Sequence, residues 1–378
     1  METLLISAAD LAQIVRHVGV DRLMHQLIER LMQSLLHYDP RSIEVRKRDG
    51  FAYQTPHPGV LEWMPVMRRG ESSVIKVVGY NPHNPTLHGA PTIVSTISLY
   101  DIATGHLRLL MDGVFPTAMR TGAASAVASR LLARQDAEVL GIVGCGAQAV
   151  TQLHALSLVF PLRRVLAFDI DPAVSATYAR RCGFVPLPIE LVPLQVLEAE
   201  ADILCTATSV PVGGGPVIRG EQLKEWIHIN AVGSDLPGKT ELPLSLLERS
   251  LVCPDYLEQA LVEGECQQLK HRPSRIGPSL VELVQGPKRD ESIRHSPTVF
   301  DSTGFALEDQ VALELFLEYA QELRLGRRVE LEGGTTDVRN PYALPGLLPT
   351  TDAERQQPGA LAESPGMGRG DTARSRAV

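Results

Sequence analysis

A glycine-rich turn in the middle of the chain has the residue types that bind a dinucleotide. The run Gly144-Cys145-Gly146-Ala147-Gln148-Ala149 fits the pattern GxGxxG/A, directly after the strand candidate Leu140 to Val143 and at the start of a helical pattern. The two glycines permit a tight turn and a close approach of the backbone to a pyrophosphate, whose charge is stabilised at a helix N-terminus. The turn predicts a dinucleotide site that contains Gly144 and Gly146.

An acidic residue after the next strand candidate indicates which dinucleotide binds. Asp169 lies 25 residues after Gly144, at the end of Arg164 to Phe168, where an acid accepts hydrogen bonds from the adenine ribose hydroxyls. Because an acid at this place repels a 2′-phosphate, we expect NAD rather than NADP. The alternative is a glycine-rich turn that binds nothing, with Asp169 as a helix cap.

Three basic residues are candidates for holding the carboxylate of a small amino or keto acid. Lys76 interrupts the apolar run from Val74 to Val78, Arg120 lies between Met119 and Thr121, and Arg48 ends a basic run. Arginine is the better bidentate partner of a carboxylate. Each residue has a simpler alternative: an outward strand position for Lys76, a helix cap for Arg120, and a solvated charged surface for Arg48.

Asp235 is the candidate for acid–base chemistry. It follows the strand candidate Trp226 to Val232, in the run Gly233-Ser234-Asp235-Leu236-Pro237-Gly238-Lys239. Ligands of open α/β sheets gather at the carboxyl ends of the strands, so a carboxylate here is well placed to move protons. The alternative is an Asx-turn residue before Pro237.

The elements that carry these residues fall into two patterns. Two helices open the chain, the first beginning with the capping box of Ser7 and Asp10, and residues 41–122 then read as antiparallel strands. From Val139, strands alternate with helices, which is typical of βαβ units and a parallel sheet. We therefore predict an α/β protein with a Rossmann domain over residues 123–306. The other predicted domain covers residues 1–122 and is completed by residues 307–345. Residues 346–378 are predicted to be a disordered tail.

Composition excludes several classes of protein. The 378-residue chain has a formal charge of −8 and no basic stripe, which argues against nucleic acid or a membrane as partner. No apolar run approaches the length of a membrane span, and the N-terminus lacks a secretory pattern. The five cysteines include no CxxC pair, so we expect no disulfide framework and no metal site, and a cytoplasmic location.

Several longer stretches resemble the ornithine cyclodeaminase/mu-crystallin family over residues 1–345. They are DGVFPTAMRTGAAS (112–125), GCGAQ (144–148) and NAVGSD (230–235) followed by PGKTE (237–241). EGECQQL (263–269) and FDSTGFA (300–306) are similar to the cyclodeaminase branch, and TSVPVGGGP (208–216) and EWMP (62–65) to its lysine cyclodeaminases.

This resemblance implies a homodimer that binds NAD and an L-diamino acid. In it, the domain of residues 1–122 and 307–345 would bind substrate and form the dimer interface. Carried onto matching positions, Arg48, Lys76 and Arg120 would hold the substrate carboxylate, with Arg46 as an alternative to Arg48. Glu62 would lie near an amino group, Thr303 would face substrate, and Asp235 would be the general acid and base. The residues implied around the cofactor are Thr92, Thr121, Gly144, Gly146, Ala147, Gln148, Asp169, Thr208, Val232, Gly233, Ser234, Lys239 and Ser302.

The chemistry implied by the resemblance is an ammonia-lyase reaction without net oxidation. A hydride would leave Cα of L-lysine for NAD+ and return to a cyclic imine, giving L-pipecolate and ammonia. Ornithine, which would give L-proline, differs by one methylene, and a pocket discriminates that by only about 1–3 kcal/mol. The same fold is also compatible with a net amino-acid dehydrogenase or ketimine reductase, and with a non-catalytic binding protein of the mu-crystallin kind.

Overall fold

The computed structural model describes residues 1–287 and 291–344 and contains two sheets. The strands are β1 (Thr3–Ile6), β2 (Ile43–Val45), β3 (Asp49–Tyr53), β4 (Gly59–Arg68), β5 (Ser72–Tyr80), β6 (Ile93–Asp101), β7 (Leu107–Asp112), β8 (Val139–Val143), β9 (Arg164–Phe168), β10 (Ile189–Leu191), β11 (Ile203–Thr206), β12 (His228–Ala231), β13 (Leu251–Pro254), β14 (Thr298–Asp301) and β15 (Arg327–Val329). The helices are α1 (Ala8–Val18), α2 (Val20–Leu36), α3 (Asn84–Leu87), α4 (Val114–Leu132), α5 (Ala147–Ser157), α6 (Pro172–Ala176), α7 (Tyr178–Arg181), α8 (Leu194–Glu200), α9 (Leu244–Leu247), α10 (Leu257–Glu263), α11 (Leu280–Gln285) and α12 (Ala306–Glu322).

Residues 2–329 form one compact unit that contains both sheets. The residues from 330 to 344 group separately, as a loop in which Thr336 N donates to the carbonyl oxygen of Ala343 at 2.9 Å. The tail predicted from residue 346 lies outside the described residues, and the predicted domain limits stay a prediction. Within residues 1–287 and 291–344, no helix combines the length and hydropathy that crossing a membrane requires.

The first sheet has the strand order β15-β1-β7-β6-β5-β4-β2, with β3 paired to β4. Its strands pair antiparallel, as predicted for residues 41–122, except for the parallel pair β1 and β7. Along β5, Val74, Lys76 and Val78 are buried whereas Val77 is exposed. The outward alternative for Lys76 is therefore wrong, because its side chain enters the interior of the protein.

The second sheet is wholly parallel and has the order β10-β9-β8-β11-β12-β14-β13. Alternate residues of its strands enter two separate apolar cores, one on each face. The order of the strands reverses between β8 and β11, which is the place where doubly wound sheets bind ligands. The predicted α/β fold with a Rossmann arrangement is confirmed.

Helices α4 and α12 pack against each other and carry charged residues into the interior. Arg120 lies within α4, so the alternative that it caps a helix is wrong. Gly122 lets α4 approach α5, because a Cβ there would lie 2.5 Å from the carbonyl oxygen of Thr151. The first turn of α12, which packs on β4 and β5, contains Glu308 and Asp309.

Candidate active site

Lys76 and Arg120 meet at one buried carboxylate. Lys76 Nζ donates to Asp309 Oδ1 at 2.9 Å, and Arg120 Nε donates to the same oxygen at 3.0 Å. Arg120 Nη1 donates to Glu308 Oε2 at 2.8 Å. Burial, together with the charge of Arg120, lowers the pKa of Lys76 to about 8. Strand β5 and helices α4 and α12 thus bring two of the three predicted cations together.

Arg48 contacts two further carboxylates. Its Nη1 donates to Glu62 Oε2 at 3.2 Å, its Nε lies 2.9 Å from Glu263 Oε1, and its Nη2 donates to the carbonyl oxygen of Thr303. The Arg48 side chain is 10% exposed, whereas that of Arg46 is 76% exposed and pairs with Glu44. The structure thus places Arg48, and not Arg46, beside Glu62 and Thr303.

The guanidinium groups of Arg48 and Arg120 converge on Gly304. A Cβ added to Gly304, whose φ is +98°, would lie 3.1 Å from Arg120 Nη2 and 3.3 Å from Arg48 Nη2. Asp255 holds this turn, since it accepts hydrogen bonds from Thr303 Oγ1 at 2.8 Å and from Gly304 N at 2.6 Å. The absence of a side chain at Gly304 therefore lets both guanidinium groups pack close to the backbone of this turn.

Glu263 is a buried acid that the sequence-based site did not include. Its side chain is 5% exposed. Burial, with the negative charges of Glu62 and Asp235, raises the pKa of Glu263 to about 7 in spite of Arg48. Burial also raises the pKa of Glu62. Arg48, Glu62, Lys76, Arg120, Asp235 and Glu263 are called the charged cluster below.

Asp235 lies in the turn after β12 and is accessible from solvent. Its side chain is 25% exposed, and its Oδ1 lies 2.8 Å from Nζ of the buried Lys239. The lysine lies over the ring of Tyr80, 5.1 Å from its centre, and Ser234 Oγ donates to the Lys239 carbonyl oxygen at 2.6 Å. Among the described residues, the Asp235 carboxylate accepts no backbone hydrogen bond, so the Asx-turn alternative is wrong.

The glycine turn after β8 has the geometry of a phosphate-binding loop. Gly144 has a φ of +89°, and a Cβ there would lie 2.7 Å from the carbonyl oxygen of Ala207. Within the described part of the chain, a Cβ on Gly146 would meet nothing within 4 Å, and no side chain caps the N-terminus of α5. The amide groups of this N-terminus are therefore open to an anion.

Asp169 is hydrogen-bonded to the backbone of the same turn. Its Oδ2 accepts a hydrogen bond from Cys145 N at 2.7 Å and its Oδ1 accepts one from Asp171 N at 2.8 Å. Asp171, and not Asp169, caps the next helix, α6. The helix-cap alternative for Asp169 is wrong.

A series of three buried carboxylates, called the carboxylate ladder below, holds the loops beyond β11 and β12. Asp301 accepts hydrogen bonds from Glu265 N at 2.8 Å and Cys266 N at 2.7 Å. Glu265 accepts from Glu241 N at 2.6 Å. Glu241 accepts from Thr208 N at 2.7 Å, Thr208 Oγ1 at 2.7 Å, Thr206 Oγ1 at 2.7 Å and Gly233 N at 2.8 Å. All three carboxylates are fully buried, and burial raises the pKa of each.

Most of the predicted cofactor residues lie at one edge of the parallel sheet. Gly144, Gly146, Ala147, Gln148, Asp169, Thr208, Val232, Gly233, Ser234 and Ser302 follow the carboxyl ends of β8, β9, β11, β12 and β14. Thr121 lies on α4, where its carbonyl oxygen accepts from Gln152 of α5 at 3.4 Å. Thr92 precedes β6 in the other sheet, and its carbonyl oxygen accepts from Asn81 N.

These residues fit a dinucleotide. The opening beside Gly146 leaves space for phosphates, and Ser302 Oγ, at the end of β14, is buried without a hydrogen-bond partner among the described residues. Such an unpaired hydroxyl at a strand end is the kind of group that a bound ligand satisfies. A doubly wound sheet with a dinucleotide turn, next to a buried cluster of arginine, lysine and carboxylates, defines the class of Rossmann-fold enzymes of amino-acid metabolism.

The chain belongs to the ornithine cyclodeaminase/mu-crystallin family, whose sequence profile matches residues 9–323. It is 42% identical to an L-lysine cyclodeaminase of Streptomyces rapamycinicus, over 91% of this chain and 100% of that protein. A solved structure of a lysine cyclodeaminase, described for its recognition of L-lysine, L-ornithine and L-2,4-diaminobutyric acid, has a TM-score of 0.88 and 51% identity. It covers 91% of this chain and 100% of its own.

A second solved structure shares the fold with another activity. An archaeal alanine dehydrogenase dimer with bound NAD has a TM-score of 0.77 and 28% identity, covering 88% of this chain and 100% of its own. Proteins similar to this chain therefore include both a lysine cyclodeaminase and an alanine dehydrogenase.

Proposed function

We propose that this chain is an NAD-dependent lysine cyclodeaminase that converts L-lysine to L-pipecolate and ammonia. The observation that carries the proposal is the buried charged cluster, which has cations for a carboxylate and acids for two ammonium groups beside a dinucleotide fold. The similarity to a lysine cyclodeaminase over the whole length of that relative supports the same substrate.

The chain's own residues would hold NAD at the edge of the parallel sheet. The turn at Gly144 and Gly146 would receive the pyrophosphate, and Asp169 the adenine ribose. The other residues of this proposed site are Thr92, Thr121, Ala147, Gln148, Thr208, Val232, Gly233, Ser234, Lys239 and Ser302. When bound, NAD+ supplies a reversible acceptor for the hydrogen on Cα of the substrate.

The substrate carboxylate would bind beside Gly304, between Arg48 and Arg120, with Lys76 on its third side. Arg120 Nη2 makes no hydrogen bond with the described residues, so one face of this guanidinium is open. The pairs with Glu308 and Asp309 fix Arg120 and Lys76 in place before substrate arrives. Glu62 would face an amino group, and Thr303 would line the same pocket. This arrangement would orient Cα toward the sheet edge where the cofactor would lie.

Asp235 would move the protons of the cyclisation. Lys239 orients its carboxylate, and its exposure leaves one oxygen open to the substrate. It would accept a proton from the terminal ammonium, so that the free amine can attack the oxidised Cα. The protonated Asp235 can then donate to the departing α-nitrogen, which leaves as ammonia. The proton gained in one step is lost in the next, as the redox-neutral reaction requires.

We also propose a homodimer in the cytoplasm. The outer face of the first sheet carries apolar side chains that are exposed in a single chain, among them Phe51, Leu61, Val77 and Val94. An apolar sheet face of this kind is typical of a subunit interface. The five cysteines are all free and buried, which is compatible with a reducing compartment. Light scattering of the purified chain tests the dimer.

The experiment that tests the function uses L-lysine or L-ornithine with substoichiometric NAD+. We expect many turnovers of L-pipecolate and equimolar ammonia without accumulation of NADH. A faster rate with ornithine would make proline formation the main activity. NADH that accumulates mole for mole with product would instead identify a net dehydrogenase, and binding without turnover would identify a mu-crystallin-like protein.

A further inference from the structure

Glu263 stands at the end of α10 as a buried carboxylate with an incomplete set of partners. Its side chain is 5% exposed, and its Oε1 lies 2.9 Å from Arg48 Nε but makes no hydrogen bond with the described residues. Buried carboxylate oxygens are normally hydrogen-bonded, because an unpaired one costs free energy. This oxygen therefore points to a donor that joins the site from outside the chain.

The charges around Glu263 indicate that this donor is a cation. Arg48 is shared between Glu62 and Glu263, and the nearby Asp235 is paired with Lys239. One guanidinium thus faces two carboxylates whose side chains are at most 13% exposed, and the negative charges of Glu62 and Asp235 help to raise the pKa of Glu263. A buried surplus of negative charge is stabilised by one more positive charge. The terminal ammonium of a diamino acid supplies it.

The charged cluster has one end for the terminal ammonium of a ligand and another end for its carboxylate. The open Nη2 of Arg120 lies at Gly304, beside Lys76 and α12, whereas Glu263 approaches Arg48 from α10. A ligand that bridges these two ends carries an anionic group at one end and a cationic group at the other. A monoamino acid of the same length supplies the anionic group for Arg120 but no cationic group for Glu263.

We infer that Glu263 binds the terminal ammonium of the substrate and makes the site selective for diamino acids over monoamino acids of equal length. This inference rests on the proposed cyclodeaminase function for the identity of the ligand. Glu263 is a specificity residue here: it touches substrate but takes no proton in the reaction, which remains the task of Asp235.

The test compares L-lysine with L-norleucine, which has the same carbon chain without the terminal amine. In Glu263→Gln we expect the KM of lysine to rise about 10- to 100-fold, the loss typical of a hydrogen bond to a charged group. The Ki of norleucine as a competitive inhibitor should stay unchanged. Glu263→Asp keeps the charge and should recover part of the selectivity. Glu258→Gln, at an exposed position of the same helix, is the matched control.

A role limited to holding Arg48 gives a different result. If Glu263 only orients that guanidinium, Glu263→Gln weakens the binding of lysine and of norleucine equally, because both ligands use the carboxylate site. Equal losses, or no loss for either ligand, would overturn the inference. The pH profile supplies a further readout. The preference of the wild type for lysine over norleucine should decrease when the pH is lowered below about 7, because Glu263 then takes up a proton. The charged groups that face Glu263 are Arg48, Lys47, Glu62 and Asp235. This decrease should be absent in Glu263→Gln.

Calorimetry separates this inference from the proposed function. Enzyme loaded with NADH cannot oxidise lysine, so the affinities of lysine and norleucine can be measured without turnover. If the wild type prefers lysine in this titration but forms no pipecolate in the assay, the proposed reaction is wrong and the inference stands. If the wild type forms pipecolate but Glu263→Gln keeps the full lysine preference, the inference is wrong and the reaction stands.

Discussion

The charged cluster and the carboxylate ladder both contain buried acids, but these acids have different kinds of partner. In the cluster and its supports, Glu62, Glu263, Glu308 and Asp309 contact arginine or lysine side chains. In the ladder, Asp301, Glu265 and Glu241 accept hydrogen bonds from backbone amides and threonine hydroxyls. Side-chain ion pairs can exchange partners with a charged ligand, whereas amide hydrogen bonds fix the path of the backbone.

This difference matches the two ligands that we propose. A diamino acid presents one carboxylate and two ammonium groups, so it can replace protein partners within the charged cluster. A dinucleotide is bound largely through the backbone of the loops around it, and Glu241 holds two of these loops through Thr208 and Gly233. Changes in the cluster should therefore affect substrate, and changes in the ladder should affect the cofactor.

The largest expected effect is that of Asp235→Asn, a change within the charged cluster. We expect turnover of lysine to fall by about 10²–10⁴-fold, because an amide cannot accept and return the proton of the cyclisation. The affinity for NAD, measured by calorimetry, should change little. Retention of full activity would remove Asp235 from the reaction.

The next largest effect is that of Lys76→Met, which removes a cation from the cluster at similar length. We expect the KM of lysine to rise about 100-fold with the NAD affinity unchanged, since Lys76 contacts Asp309 of α12, away from the glycine turn. Lys76→Arg keeps the charge, so its KM for lysine should lie between the values of the wild type and Lys76→Met. An equal loss of NAD affinity would contradict the division between the regions.

Glu241→Gln tests whether the carboxylate ladder supports binding of the cofactor. The amide nitrogen of glutamine would face Thr208 N or Gly233 N, which are donors, so at least one loop must shift. We expect the affinity for NAD to fall about tenfold, with a smaller change in the KM of lysine at saturating NAD. Glu248→Gln, at an exposed ion pair, is the control. A change confined to the KM of lysine would show that the carboxylate ladder supports binding of the substrate and not of the cofactor.

The smallest effect is a pH dependence confined to substrate binding. Because the pKa of Lys76 is lowered to about 8, Lys76 carries its charge below that pH and loses it as the pH rises. The KM of lysine should rise above about pH 8, and the affinity for NAD should stay level over the same range. In Lys76→Arg the rise should disappear, since arginine keeps its proton. A parallel loss of NAD affinity would assign the titration to another group.

Local patterns predict the parts of this molecule that depend on neighbouring residues. The capping box at Ser7, the strand Arg164–Phe168 and the glycine turn after β8 occur where the sequence indicates them. The alanine-rich pattern predicts a helix from Thr121, whereas α4 begins at Val114. Pro116 is accommodated in its first turn, where the missing amide hydrogen would have no intrahelical partner.

The partners of the site residues cannot be predicted in the same way. Glu241, Glu265 and Asp301 are brought together by three loops, and Glu308 and Asp309 reach Arg120 across 188 and 189 positions of sequence. The short strands β1 and β15 pair with each other across almost the whole compact unit, and the local patterns predict neither. A signal in the sequence is an acidic residue directly after an apolar run, as in Val299-Phe300-Asp301.

The most direct test of the proposed reaction follows the hydrogen on Cα of the substrate. L-lysine deuterated at C2 is given to the enzyme with substoichiometric NAD+, and the product is analysed by mass spectrometry and NMR. If the hydrogen removed from Cα returns to the same carbon of the cyclic imine, L-pipecolate keeps the deuterium at C2 and no reduced cofactor accumulates. Pipecolate without deuterium at C2, or reduced cofactor that accumulates mole for mole with an oxidised product, would contradict the cyclodeaminase reaction.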